Sequence, residues 1–261
     1  MPLTPFQLTI ARLLAGNRSS DSYLAGGAAL HFAPNTQRYS NDLDFFHDSV
    51  ERVATAFEAD RRSLVEAGYE VRIEMNQPGF IRALICDSIN STKIEWAHDS
   101  AWRFMPPISN EDVGIQLHPI DLAINKLLAL VGRDEARDFI DILYINKEIL
   151  FLGPLCWAAC GKDPGFTPYS MLEILKRRGK YRPEDFTRLK LRQPVDLPSL
   201  KSEWLEALSK AESFIATRTP SELGCLYYSP SLRDFVDPTD IPDAVTHYGS
   251  PGGVLPRFYE T

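Results

Sequence analysis

Tyr23-Leu24-Ala25-Gly26-Gly27, followed fifteen residues after its second glycine by Asp42-Leu43-Asp44-Phe45-Phe46, decides how this chain is read. Ser22 to Ala25 has the apolar character of a short strand, and Ala28-Ala29-Leu30-His31-Phe32 that of the helix after it, with the two glycines at the junction. A glycine pair there lets backbone N–H groups approach a phosphate with no Cβ in the way, near the positive end of a helix dipole. Asp42 and Asp44 stand two apart, so on a strand both carboxylates project from one face. Two hard oxygen ligands beside a phosphate cradle suit a complex of magnesium with a nucleotide, and hence phosphoryl or nucleotidyl transfer. Taken singly, each half has a plainer reading, a tight turn for Gly-Gly and a solvated strand end for Asp-x-Asp.

Order and spacing bind the two halves together. With Arg38 and Ser40 just ahead of the acidic pair, the string Gly-Gly, then Arg-x-Ser-x-Asp-x-Asp-Phe, resembles the polymerase-beta-like nucleotidyltransferase superfamily. Within it the nearest likeness is to the AbiEii/AbiGii family of bacterial nucleotidyltransferase toxins, over about residues 20 to 150. The resemblance implies that Gly26, Gly27, Arg38 and Ser40 serve the nucleotide and that Asp42 and Asp44 hold magnesium or manganese. It also implies a third carboxylate on a neighbouring strand. Thr92-Lys93-Ile94-Glu95-Trp96 alternates as a half-buried strand does, which makes Glu95 the best candidate, with Asp87 competing. Glutamate here departs from the aspartate more usual in the family.

A second block runs from Asp121 through Lys126 to Arg133, Arg137, Asp138 and Asp141. Ile120, Ile124, Leu127, Leu128 and Val131 are spaced for a helix, with Pro119 at its first position and Gly132 at its end. Lys126 falls among those apolar positions, either snorkelling from the edge of the face or aimed into a site. By resemblance, Lys126 and the Arg-Asp-x-x-Asp that follows lie near the nucleotide, Lys126 on its phosphates and Asp141 or Asp138 orienting that lysine or assisting a proton transfer. Asp134 can cap a second helix, on which Arg137 and Asp141 stand four apart, as do Arg133 and Arg137 across the junction. An exposed, salt-bridged helix face is the plainer alternative.

Elsewhere, Pro5 to Leu14 reads as an amphipathic helix, and Ser49 as the N-cap of a longer one reaching Ala67. Val71 to Met75, Phe80 to Cys86 and Lys93 to Ala97 read as a meander joined by turns at residues 77–79 and 88–91. From Leu117 the pattern is almost all helical, including Tyr169 to Arg178, Pro183 to Lys190 and Leu200 to Ala216. The expected fold is therefore α/β (α+β), a polymerase-beta-like core with a mixed sheet in residues 1–116, a mainly helical lobe closing the cleft in 117–216, and an irregular tail in 217–261.

Composition narrows the setting. The chain has 261 residues, 44% of them apolar and 24% charged, as soluble globular proteins do. No apolar run reaches bilayer length and no signal peptide is recognisable, so a cytoplasmic, membrane-free protein is expected. Cysteines at 86, 156, 160 and 225 lack metal-site spacing, and Cys156 and Cys160 read as buried thiols on one helical face. His47 reads as a surface residue.

A net charge of −7 argues against charge-driven binding of nucleic acid in general. Yet Lys176, Arg177, Arg178, Lys180, Arg182, Arg188, Lys190 and Arg192, with Tyr181 and Phe186 interleaved, could grip an RNA backbone or else form a solvated helix end. The expectation is a metal-dependent nucleotidyltransferase that takes an NTP, with tRNA or another RNA as acceptor and a cognate antitoxin as partner. The rivals are a nucleotidyltransferase acting on a small molecule, a glycosyltransferase, and a catalytically silent interaction protein.

Overall fold

The computed structural model describes residues 3–32, 36 and 38–258. The chain opens with helix α1 (Pro5–Leu14), started by a capping box in which Thr4 and Gln7 satisfy each other's backbone N–H groups. Strand β1 (Ser22–Ala25) runs directly into the one-turn α2 (Gly26–Leu30). Strand β2 (Asp42–His47) leads to α3 (Val50–Glu66), whose first turn is capped by Ser49 accepting from the Arg52 N–H at 3.1 Å. The meander follows as β3 (Glu70–Gln77), β4 (Phe80–Cys86) and β5 (Ser91–His98).

Three short strands not foreseen in the sequence come next, β6 (Trp102–Arg103), β7 (Ile108–Asn110) and β8 (Gly114–Gln116). At two or three residues each they are too short to show a period. The main sheet has the order β3-β4-β5-β2-β1-β8-β7. It is mixed, since β2 runs parallel to β5 and β1 parallel to β8 while the other pairs are antiparallel.

Helices follow as α4 (Pro119–Gly132), α5 (Ala136–Glu148), α6 (Leu152–Lys162), α7 (Pro168–Leu175), α8 (Pro183–Phe186) and α9 (Leu197–Thr217). Two expected helices are shortened. The first stops at Leu175, and the second stops at Phe186, which turns inward as a buried anchor. Asp134 is not the cap of α5. Glu135 holds that position without a side-chain bond, and Asp134 instead accepts from the Tyr181 hydroxyl at 2.5 Å.

The expected irregular tail is also corrected. Strands β9 (Leu226–Ser229), β10 (Asp234–Phe235) and β11 (Val245–His247) form a small antiparallel sheet in the order β10-β9-β11. Strand β12 (Ser250–Pro251) then pairs with β6, far back in the chain. Runs of two to four residues between turns carry too few side chains for alternation to be seen. Residues 259–261 of that segment lie outside the described residues. The boundary expected at 116 coincides with the end of β8, and that at 216 falls in the last turn of α9.

One hydrophobic cluster links these parts, from Leu3 through Trp96, Leu127 and Phe214 to Phe235. It contains Cys156 and Cys160, as expected of thiols on one face of α6. His47 is buried and not superficial, because alternation along β2 sends Leu43, Phe45 and His47 to the face opposite Asp42, Asp44 and Phe46. Among the described residues no helix is long and apolar enough to cross a membrane.

Candidate active site

The floor of the site is made by two neighbouring parallel strands. Register pairs Asp44 with Glu95 and Phe46 with Ala97, so β2 presents Asp42, Asp44 and Phe46, and β5 presents Glu95 and Ala97, into one cleft. The opposite wall is α4, with Leu122, Asn125, Lys126 and Ala129 along one helical face and Arg133 just past its end. The cleft holds about 550 Å³, inside the roughly 300–1,000 Å³ typical of small-molecule sites.

The glycine pair fits against the acidic residues. Gly26 has φ 60°, and a Cβ added there would stand 1.9 Å from Asp44 Oδ2. At Gly27 an added Cβ would stand 2.9 Å from Arg38 Nη2 and 3.2 Å from Ser40 Oγ. Gly26 therefore requires glycine for both close approach and backbone, and a side chain at Gly27 would displace the Arg38 guanidinium. Ser40 is buried, and its hydroxyl donates to the Asp42 carbonyl at 2.9 Å, so it fixes the entry to β2.

Burial, then the neighbouring Asp42, push the Asp44 carboxyl up to about 7, with Glu95 adding to the effect and Lys126 opposing it. Like charges crowded on one face favour a bound cation. Magnesium is commonly held by one or two carboxylates together with the substrate's phosphates, and the oxygen pair of Asp42 and Asp44 fits that pattern. Among the described residues no three His, Cys, Asp or Glu side chains group closely enough to form a cage on their own. Glu95 is turned to Arg82, its antiparallel partner on β4, at 2.8 Å. Asp87 does not line the cleft. It caps the β4–β5 turn, accepting from the Ile89 and Asn90 N–H groups at 2.7 and 2.5 Å.

Behind the carboxylates lies a buried ionic cluster. Arg38 donates to Asp141 through Nε at 2.7 Å and Nη2 at 2.6 Å, in the two-pronged geometry that makes such pairs strong. Lys126 Nζ stands 2.8 Å from Asp141 and 3.3 Å from Asp138, and His31 Nε2 2.7 Å from Asp141. Arg133 Nε donates to Asp138 at 2.7 Å. Burial alone would raise the Asp141 carboxyl, but Lys126 and Arg38 hold it well below the usual range. Burial keeps His31 neutral, lowering its affinity for a proton in spite of Asp141. The helix-face reading of this block is thus set aside, since Asp138 and Asp141 are fully enclosed.

Arg137 differs from these cations. It lines the cleft and, among the described residues, has no hydrogen bond or ion pair, its Nε being buried without a partner. Its charge reaches Asp44. The structure therefore brings together Gly26, Gly27, Arg38, Asp42, Asp44, Glu95, Lys126, Arg133 and Arg137 around one cleft, with Ser40 and Asp141 directly behind.

Other cleft residues have no sequence motif. Asp99 lies just beyond β5, Asn125 precedes Lys126, and Lys162 ends α6. No local pattern ties them together, because they come from three elements. The basic segment 176–192 divides. Arg178 donates to the carbonyls of Leu130 and Val131, closing the end of α4, while Lys176 pairs with Glu173 and Glu212. Phe186 and Tyr181 pack on the core around Phe139, so neither is presented as a platform for a base.

Solved structures share the fold, among them the following two. MenT4, a nucleotidyltransferase toxin from Mycobacterium tuberculosis, superposes with a TM-score of 0.53 at 17% identity, covering 83% of this chain and 83% of its own. A Helicobacter pylori protein assigned to the nucleotidyltransferases gives 0.52 at 17% identity, over 81% of this chain and 94% of its own. No curated protein matches the sequence. The family model described as nucleotidyl transferase AbiEii toxin, type IV TA system, matches residues 11–237, and the chain therefore belongs to that family of nucleotidyltransferase toxins.

Proposed function

We propose that this toxin transfers a nucleoside monophosphate from an NTP to a hydroxyl of RNA, with a tRNA 3′ end as the first acceptor to test, in a reaction dependent on magnesium or manganese. The observation that carries the reading is the meeting of Asp42, Asp44 and an unpartnered Arg137 in one cleft, with Gly26 packed directly against Asp44.

Asp42 and Asp44 would hold the ion, which when bound neutralises charge on the phosphate oxygens. Glu95, on release from Arg82, serves as base toward the acceptor hydroxyl or as a further ligand. Arg137 and the N–H of Lys126 not engaged by Asp138 or Asp141 grip phosphate oxygens, with the Gly26 and Gly27 backbone alongside. Arg38 and Arg133 act through Asp141 and Asp138, setting the position of the Lys126 ammonium. Ser40 fixes Asp42. In the transfer, the acceptor oxygen bonds to the α-phosphorus, the bond from that phosphorus to the bridging oxygen breaks, the hydroxyl proton passes to Glu95 or solvent, and pyrophosphate leaves.

Exposed Arg177, Lys180, Arg188 and Lys190 supply positive charge for an RNA backbone on a chain that is acidic overall. A cytoplasmic setting and a cognate antitoxin complete the proposal. The test is incubation of wild type and Asp44→Asn with total RNA and each α-labelled NTP, with and without magnesium. Label in a tRNA-sized band with wild type and magnesium alone is the expected result. Magnesium-dependent NTP binding with no labelled RNA would move the acceptor to a small molecule.

A further inference from the structure

The cleft has a second end, chemically unlike the first. Glu95, Ala97 and Asp99 follow one another on the same face of β5 and its extension. At about 3.3 Å per residue, Asp99 lies roughly 13 Å beyond Glu95 along the strand. There Lys162 Nζ donates to Asp99 Oδ2 at 3.0 Å and to Asn125 Oδ1 at 2.7 Å, and Asn125 Nδ2 donates to Asp99 Oδ2 at 2.9 Å. Phe46, Ala97 and Leu122 provide apolar surface between this triad and the carboxylates.

The triad is closed, and that fixes its polarity. A lysine on the oxygen side of the Asn125 amide and a carboxylate on its nitrogen side leave the amide a single sensible orientation. Its second Nδ2 hydrogen and the third hydrogen of Lys162 are not used within the triad. The Lys162 side chain is 7% exposed and so has little freedom to turn away. The other Asp99 oxygen accepts from the Ser100 N–H at 2.8 Å. What the triad offers a ligand is mainly hydrogen-bond donors, held beside apolar lining.

We infer that Asp99, Asn125 and Lys162 form the subsite that reads the nucleobase, and that their donors favour a base bearing a carbonyl at this edge, uracil or guanine, over the amino bases adenine and cytosine. The inference rests on the cleft taking an NTP, as proposed above. Phosphates at the Asp44 and Arg137 end place ribose along Phe46 and Ala97 and bring the base edge to Asn125. A base presenting an amino group would bring donor against donor and leave buried polar hydrogens unpaired, which is the source of strong discrimination in such sites.

The test is calorimetric titration of wild type, Asn125→Ala, Asn125→Asp and Lys162→Met, with magnesium, using each of the four NTPs and inorganic tripolyphosphate as separate probes. Wild type should bind UTP or GTP at least about tenfold more tightly than ATP and CTP. Asn125→Ala and Lys162→Met should reduce that preference to within about threefold while tripolyphosphate affinity is unchanged, which also certifies that each variant is folded. Asn125→Asp, with an acceptor in place of the amide donor, should shift preference toward the amino bases. NTP preferences unaltered in all variants, or tightest wild-type binding of ATP or CTP, would overturn the assignment. Wild type binding neither NTP nor tripolyphosphate would instead defeat the nucleotide reading of the cleft itself, and the base subsite with it.

Discussion

The two faces of the β2–β5 pair have opposite electrostatic characters, though their residues alternate along the same strands. On the back face, Asp60 of α3 accepts from Arg18, from Asn17 Nδ2 at 2.9 Å and from Trp96 Nε1 at 2.7 Å. Arg18 also lies over the Phe45 ring, 4.2 Å from its centroid. Burial pushes His47 down to about 3, so this buried ring is neutral and needs no counter-charge. The two buried charges described there, Arg18 and Asp60, are paired with each other. On the front face, Asp42 and Asp44 crowd together and Arg137 stands without a partner. Charges matched within the protein build the scaffold, whereas charges left unmatched await something the protein does not contain.

This contrast is tested most severely by exchanging one carboxylate on each face. Asp44→Asn should reduce nucleotidyl transfer about a thousandfold or more, the order expected when a charge-stabilising group is lost from an active site. Its thermal midpoint should not fall, since the change relieves repulsion with Asp42. Asp60→Ala should do the reverse, costing about 3–5 kcal/mol by stranding buried Arg18, with activity retained at low temperature once the folded fraction is allowed for. Chemical unfolding and initial rates on the two variants decide the matter. If Asp60→Ala were as stable as wild type, the back-face network would be incidental.

Two smaller effects sharpen the boundary between the faces. Gly26→Ala combines a strained left-handed backbone with displacement of the Asp44 carboxylate, for a stability loss of about 1–3 kcal/mol and a greater fractional loss of activity, read by melting and rates together. Arg137→Met should weaken NTP and tripolyphosphate binding about tenfold, the scale of one exposed charge contact to phosphate, with unchanged unfolding. The weakest effect concerns acid. Asp141 has its carboxyl held well below the usual range, so its stabilisation is complete above the unfolded value of about 4 and is lost as pH falls through the folded value. Wild type should therefore lose stability below about pH 4 more steeply than Asp141→Asn, measured by urea midpoints on the acid side of that value.

Legibility of the chain in its sequence followed the length of its elements. Seventeen residues of α3 and eight of β5 carry enough periodic side chains to announce themselves. Strands β10 and β12 have two residues each, and their existence depends on partners, Tyr228 and Arg103 among them, that no local pattern names. The site divides likewise. Gly26, Gly27, Asp42 and Asp44 share one β-α-β span and form a readable motif, and the close approach of the glycines to Asp44 and Arg38 adds a packing constraint that the motif does not show. Lys126 was singled out by its apolar neighbours, but its enclosure by Asp138 and Asp141 needed α5 to fold back beside α4. Arg82, on the strand opposite Glu95, and Lys162, at the end of α6, gave no signal because their partners lie on other elements.

The pairing of β12 with β6 has a consequence for how the molecule is made. Phe104, next to β6, accepts from His247 at 2.9 Å and from the Val254 N–H at 3.2 Å, and its own N–H and that of Met105 are held by Asp121 in the first turn of α4. The segment that seats α4 is thus fastened by residues 143 positions later in the chain. During synthesis the cleft's side chains leave the ribosome well before their fastening, so the seat of α4 is completed only once residues 247–254 have been made.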